Sequence, residues 1–193
     1  MLKIDRKKDN RVVRAFTHKL ADIPGGITVS VADLTQKVLH EGTPVGKDSN
    51  GLYHVVKVAV LSADATNSAT TYTVKKGHNF KVGDVIMLAT SAKAYAITGI
   101  AANATDSTSD DITVGTTLGA AATSGSAIYQ AATAGASGSA FKYEPKALVG
   151  ESYDVEALSN HVVNACTIGQ IKEANIPAVG SEVKAKLTGI QFI

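Results

Sequence analysis

Residues 38–60, VLHEGTPVGKDSNGLYHVVKVAV, read as a β-hairpin whose turn is written into the sequence. Val38-Leu39-His40 leads in, Gly42-Thr43-Pro44-Val45-Gly46 bends, and Lys47-Asp48-Ser49-Asn50-Gly51 turns. Asn50-Gly51 is the expected centre of a two-residue type I′ turn, because Asn and Gly tolerate the positive φ needed at both central positions. Leu52 to Val60 is expected to run out as one strand, rich in β-branched and apolar residues. Composition then changes for about eighty residues and returns to its earlier character near Phe141. The pattern predicts a mainly β protein with little helix: a small β-barrel-like host domain interrupted by an inserted small β-barrel or β-sandwich module. The expected divisions are a basic N-terminal arm over 1–24, a host domain over 25–61 plus 141–193, and an inserted Ala/Thr/Ser/Gly-rich module over 62–140.

The 193 residues suffice for one domain or two small ones, and can bury about 70 % of the unfolded surface. With 45 % hydrophobic and 19 % charged residues the chain is globular in character. Aromatics make up 5 % and there is no Trp, which suits short strands better than long amphipathic helices. A net charge of +2 is too small to imply nucleic acid. A single cysteine, Cys166, excludes an intrachain disulfide and reads as a small buried apolar residue. No apolar run is long enough for a membrane helix. After Met1-Leu2-Lys3 the chain turns charged, so no secretory leader is expected, and synthesis in a cytoplasm is.

Over residues 1 to about 20, Lys3, Arg6, Lys7, Lys8, Arg11, Arg14 and Lys19 oppose only Asp5 and Asp9. Such an arm is either a solvated tail or a contact that orders on an acidic protein surface. Ile27 to Val31 alternates as a strand, and Asp33 is placed to cap one helical turn over Leu34 to Lys37. In the middle region, strands are expected at Thr70–Val74, Val85–Ala89, Tyr95–Ile100 and Ile112–Val114. Val82-Gly83-Asp84-Val85-Ile86 is a phrase common in small SH3-like and OB-like barrels. In the last third, Val162 to Ile168 reads as a strand closed by Gly169. Ser181 is a candidate N-cap for a helix over Glu182 to Leu187, and Ile190 to Ile193 is a terminal strand.

Catalytic signatures do not emerge. There is no phosphate loop, dinucleotide fingerprint or nucleophile elbow, and no cysteine cluster with zinc spacing. His18, His40, His54, His78 and His161 are scattered; His40 and His54 could face each other across the hairpin. Asp106, Asp110 and Asp111 lack the glycine and terminal Glu of a calcium loop and read as a solvated turn. A non-enzyme with no cofactor and no metal is expected. Tyr72, Tyr95 and Tyr129 (with Phe80) are the candidate aromatic platforms for a sugar ligand, with a core role as the plainer reading.

Glu41-Gly42-Thr43-Pro44-Val45-Gly46-Lys47 followed by Asn50-Gly51-Leu52-Tyr53 resembles the hairpin of head decoration and head fibre proteins of tailed bacteriophages. Ala147 to Val155, Val163 to Ile171, Asn175-Ile176-Pro177 and Lys186 to Ile190 fit the same resemblance, which covers roughly residues 25–60 and 141–193. It implies a β-rich, often trimeric virion protein, made in the bacterial host and bound to the major capsid protein on the capsid exterior. There it would reinforce the shell or project an accessory module. Lys3, Arg6, Lys7, Lys8, Arg11 and Arg14 are then the candidate capsid contacts. The alternative is a surface-associated binding module recognising a host-surface or mucosal glycan, or a protein, through residues 62–140. Neither reading involves nucleic acid or membrane.

Overall fold

The run from Leu52 to Val60 forms two short strands in two different sheets. This is the main departure from the sequence expectation, and it organises the molecule. A computed structural model describes residues 14–156 and 159–193. Chain order runs β1 (Phe16–Asp22), β2 (Ile27–Val29), β3 (Val38–Leu39), β4 (Pro44–Lys47) and β5 (Tyr53–Val55). It continues through β6 (Val58–Val60), β7 (Thr71–Lys75), β8 (Val85–Met87), β9 (Ala94–Ala102), β10 (Ser109–Val114) and β11 (Ala127–Ala131). Then come β12 (Ala147–Val149), β13 (Tyr153–Asp154), β14 (His161–Val163), β15 (Ala165–Ile171), one short helix α1 (Ser181–Lys186) and β16 (Ile190–Phe192). The protein is mainly β, as its composition implied.

The first sheet has eight strands in the order β1-β15-β12-β4-β5-β2-β14, with β16 parallel to β15. The second has six, in the order β6-β11-β8-β9-β10-β7. An isolated Leu61–Val74 bridge joins its two ends and curls it toward a barrel. β3 and β13 make a separate two-stranded pair.

Alternation explains where the chain changes sheet. Val55 and Val56 are consecutive and both buried, so a strict period of two breaks there. Lys57 follows, 2 % exposed, its Nζ 2.8 Å from Asp84 Oδ2. Ala59 and Leu61 then point into the barrel with Tyr72, Ile86, Ile112 and Ile128. Val56 and Val58 point the other way, into a core shared by both sheets. That core joins Met87, Tyr129 and Phe141 to Leu148, Ile171 and Val183. Each such buried side chain contributes roughly 1.5–3 kcal/mol. A third cluster packs Val29, Leu39, Val45 and Val149 against the other face of the first sheet.

The hairpin turn also differs from expectation. β4 and β5 pair Val45 with Val55 and Lys47 with Tyr53. Between them the loop closes on Asp48, whose Oδ1 accepts from the backbone N–H groups of Asn50 and Leu52, each at 2.9 Å. Only Gly51 takes positive φ, at 87°, so no type I′ turn forms. An aspartate collecting the loop's amides replaces the strained Asn conformation.

Similar local reasons account for the other differences. Asp33 caps no helix; its carboxylate turns to His54. The expected strand over Val162 to Ile168 divides at Asn164, whose N–H donates to the Tyr153 hydroxyl at 3.2 Å. β15 runs on through Gly169 to Ile171, because Gly169 lets β1 approach; a Cβ there would lie 2.6 Å from His18 O. At α1, Gly180 holds the N-cap position and Ser181 begins the helix. Within the basic leader, Phe16–Asp22 is an edge strand. The buried Glu41 carboxylate accepts from the N–H groups of Ala15 and Phe16, each at 3.1 Å, and starts it.

Gly46 carries a test of this packing. A Cβ on it would sit 2.3 Å from Glu144 O, in backbone that crosses directly over β4. Gly46→Ala is expected to destabilise by about 1–3 kcal/mol through forced displacement of that segment. The urea midpoint should fall while the slope of the transition stays unchanged.

Candidate functional site

Three stretches far apart in the sequence surround a cleft of about 970 Å³ between the two sheets. Residues 34–40 form one wall, 75–79 a second and 173–184 a third, and the crossing segment Val55 to Val60 forms the floor. Val58, Val60, Ile176 and Pro177 make the floor apolar, while Lys75, Lys76, His40 and Lys184 stand around it. The size is that of a ligand or peptide site.

Polar contacts fix the walls relative to one another. The Thr35 N–H and hydroxyl both donate to Asn79 Oδ1, at 3.0 and 3.1 Å. Lys81 Nζ donates to Ala32 O at 2.7 Å. Below them Asp84 accepts from Lys57 Nζ, from Gln130 Nε2 and from the Lys81 N–H, each at 2.8 Å. Lys184 on the third wall pairs with Glu173 at 2.6 Å.

His78 sits at the rim. Its Nδ1 accepts from the Phe80 N–H at 3.2 Å, which leaves Nε2 as the protonated nitrogen, 3.4 Å from Asp110 Oδ2. Burial pushes His78 below its usual 6.5, with Asp110 opposing that shift. The folded state therefore binds fewer protons than the unfolded chain just below pH 6.5. Stability is expected to fall as pH drops through 6.5 and to level off below the folded value. Urea midpoints at pH 7.5 and 5.5 test this, with His78→Gln expected to flatten the slope.

A second polar group lies outside the cleft. His54 Nδ1 is 2.5 Å from Asp33 Oδ2, its Nε2 is 3.5 Å from Asp48 Oδ2, and its ring stacks on Tyr143 at 4.0 Å. The cluster ties the loop after β2 and the hairpin loop to β5. Among the described residues, the polar partners of the His54 ring are Asp33 and Asp48. His40 does not face His54 across the hairpin; the register partner of His54 is Gly46, and His40 is exposed.

The three clustered aspartates diverge. Asp106 accepts from the Ser109 hydroxyl at 2.6 Å and from the Thr108 hydroxyl and N–H, which hold it down to about 2. Asp110 faces His78, and Asp111 accepts from Asn103 and Thr73. No group of three or more His, Cys, Asp or Glu side chains could hold a metal ion among the described residues.

The aromatic candidates do not gather at the cleft. Tyr72 is fully buried in the barrel core, its hydroxyl donating to Ala69 O at 3.1 Å. Tyr129 is 2 % exposed in the shared core. Tyr95 is half-buried against the barrel core, and Phe80 is buried there. Cys166 is fully buried; burial foremost pushes its thiol up to about 11. Lys3, Arg6, Lys7, Lys8 and Arg11 lie outside the described residues. Arg14 is exposed where the described chain begins, its carbonyl accepting from Asn175 Nδ2 at 3.3 Å. No helix among the described residues is long and apolar enough to cross a membrane.

Neither a family model, nor a curated protein, nor a solved structure matches this chain. The cleft was not legible in the sequence because its walls are 35 to 133 residues apart. The one local hint was the Val55-Val56 doublet, which marks the change of sheet that creates its floor.

Proposed function

We propose that this chain is a structural virion protein that decorates the outer surface of a tailed-phage capsid. In this reading the first sheet is the host domain that binds the major capsid protein, and the second sheet belongs to the accessory module it projects. One observation carries the proposal. The separate segments that resemble head decoration and head fibre proteins lie side by side in one sheet: β4 between β12 and β5, and β12 between β4 and β15. Residues that carry a resemblance and also meet in space fit one inherited unit better than chance likeness of short turns. The basic leader adds to this, since it enters the same sheet through β1. In this reading Lys3, Arg6, Lys7, Lys8, Arg11 and Arg14 are the candidate contacts to an acidic capsid surface. A homotrimer is the assembly this reading favours.

The cleft favours a second reading, a binding module for a glycan or protein partner, which is compatible with the first. Lysine-directed cross-linking of purified particles separates them. Decoration predicts cross-links from the N-terminal lysines to the major capsid protein. A chain recovered only from the soluble fraction, with no link to the shell, would count against it.

A further inference from the structure

β6 and β7 are the two ends of the second sheet's strand order and meet only at the Leu61–Val74 bridge. On the cleft side of that bridge the ladder stops. Val58–Val60 on one lip and Lys75–His78 on the other both line the cleft, so the curled sheet has an open seam there. A strand edge without a neighbour offers N–H and C=O groups at the spacing another strand needs. The Val58-Ala59-Val60 edge carries none of the usual devices against pairing, having no proline, no charge and no bulge against β11. An apolar edge inside a walled cleft is shielded from indiscriminate pairing and open to a segment that can thread it.

We propose that the seam docks an extended acidic segment of a partner protein, which adds as a strand along Val58–Val60. Charge selects this occupant. Of the lining cations, Lys184 engages the one lining carboxylate, Glu173, and Lys76 donates to Ser107 O at 2.8 Å with Asp110 at 3.9 Å, so Lys75 is the cation the rim leaves to a ligand. Lys75 is exposed and has no carboxylate within 4.0 Å among the described residues. The chain's own N-terminal segment, with Lys3, Arg6, Lys7, Lys8 and Arg11 against Asp5 and Asp9, carries the same sign as Lys75 and is the poorer charge match. Apolar side chains of the docked strand would rest near Val58 and Ile176, and a carboxylate near Lys75. The proposal stands apart from the capsid reading, and either can fail alone.

The test uses the full chain and a fluorescein-labelled peptide of about seven residues, alternating valine and glutamate, long enough to span the seam. Fluorescence anisotropy should show saturable binding. Affinity should be at least about tenfold weaker for the valine–lysine peptide, for the same acidic peptide with alternate backbone nitrogens methylated, and for Lys75→Glu. In the wild-type protein, the amide signals of Val58–Val60 should shift on titration, an outcome that does not depend on any variant folding. Three results would overturn the proposal: no saturable binding, equal binding of the methylated peptide, or shifts confined to other surfaces. Preferential binding of an acidic oligosaccharide at the seam would overturn it too, by assigning the site to a glycan.

Discussion

Tyr129→Ala is expected to lower stability by about 3–5 kcal/mol, the largest effect of any single aromatic truncation in this chain. The ring is 2 % exposed and meets Phe141 edge-on, at 5.5 Å between centroids and 78°. Its hydroxyl accepts from the Glu182 N–H at 3.3 Å, at the start of α1. It also fills the space beside Gly180, where a Cβ would fall 2.0 Å from the hydroxyl oxygen. Tyr129 thus belongs to β11 of the second sheet while supporting the helix that packs on the first. Its loss should reach both. Melting temperature should drop by about 6–20 °C for a chain of this size. Tyr129→Phe, which keeps the ring, should cost only about 1 kcal/mol. Hydrogen exchange is the discriminating readout: amides in β11 and in α1 should lose protection together. Loss confined to β11 would mean that the shared core does not couple the sheets.

Removing one partner of the Lys57–Asp84 pair should cost nearly as much. Asp84→Ala leaves the Lys57 ammonium 2 % exposed without its counter-charge, and also strips an acceptor from Gln130 and from the Lys81 N–H. A buried charge left alone typically costs about 3–5 kcal/mol. The pair itself need not stabilise so much, because bringing both charges out of water opposes their attraction. Lys57→Met combined with Asp84→Asn removes both charges and keeps an acceptor for the Lys81 N–H. That double variant should recover most of the loss. Urea midpoints of the single and double variants measure it. A single variant within about 0.5 kcal/mol of wild type would show that water reaches Lys57 and that the junction is not sealed.

The sequence exposed the strands better than it exposed their partners. Val85–Met87, Ile190–Phe192 and the Ile112–Val114 end of β10 all lie where apolar, β-branched runs place strands. Those runs are short-range signals, carried by apolar and β-branched composition. Pairing is long-range, and nothing in Ala147–Val149 announces Pro44 and Cys166 as its neighbours. At Val56-Lys57 and at Asn164 the sequence predicts one continuous strand where the chain changes partner. Apolar residues flank both breaks, so hydrophobicity alone does not mark them. The turn at Asn50-Gly51 departs from expectation for another reason: the side chain that decides it is Asp48, two residues earlier. The cleft depends on three walls brought together by tertiary contacts such as Thr35 to Asn79, which no local pattern encodes. Tyr72 and Tyr129 show the limit from the other side. Residue type suggested a sugar platform, while their alternation with Val74 and Ile128 placed them in cores.

Sharing of a core also bears on how function can be dissected. Excising residues 62–140 would remove Met87, Ala94, Tyr129 and Ala131 from contact with Leu148, Ile171 and Val183. Point variants on the intact chain are therefore the sound way to separate capsid binding from cleft binding. Co-sedimentation of the purified, intact protein with tailed-phage capsid shells is the most direct measurement of the proposed capsid reading. Decoration predicts pelleting that saturates at a fixed ratio to the capsid subunit and weakens with salt or with charge reversal of the N-terminal basic residues. Protein that stays in the supernatant at every salt concentration, while the shells pellet, would contradict it.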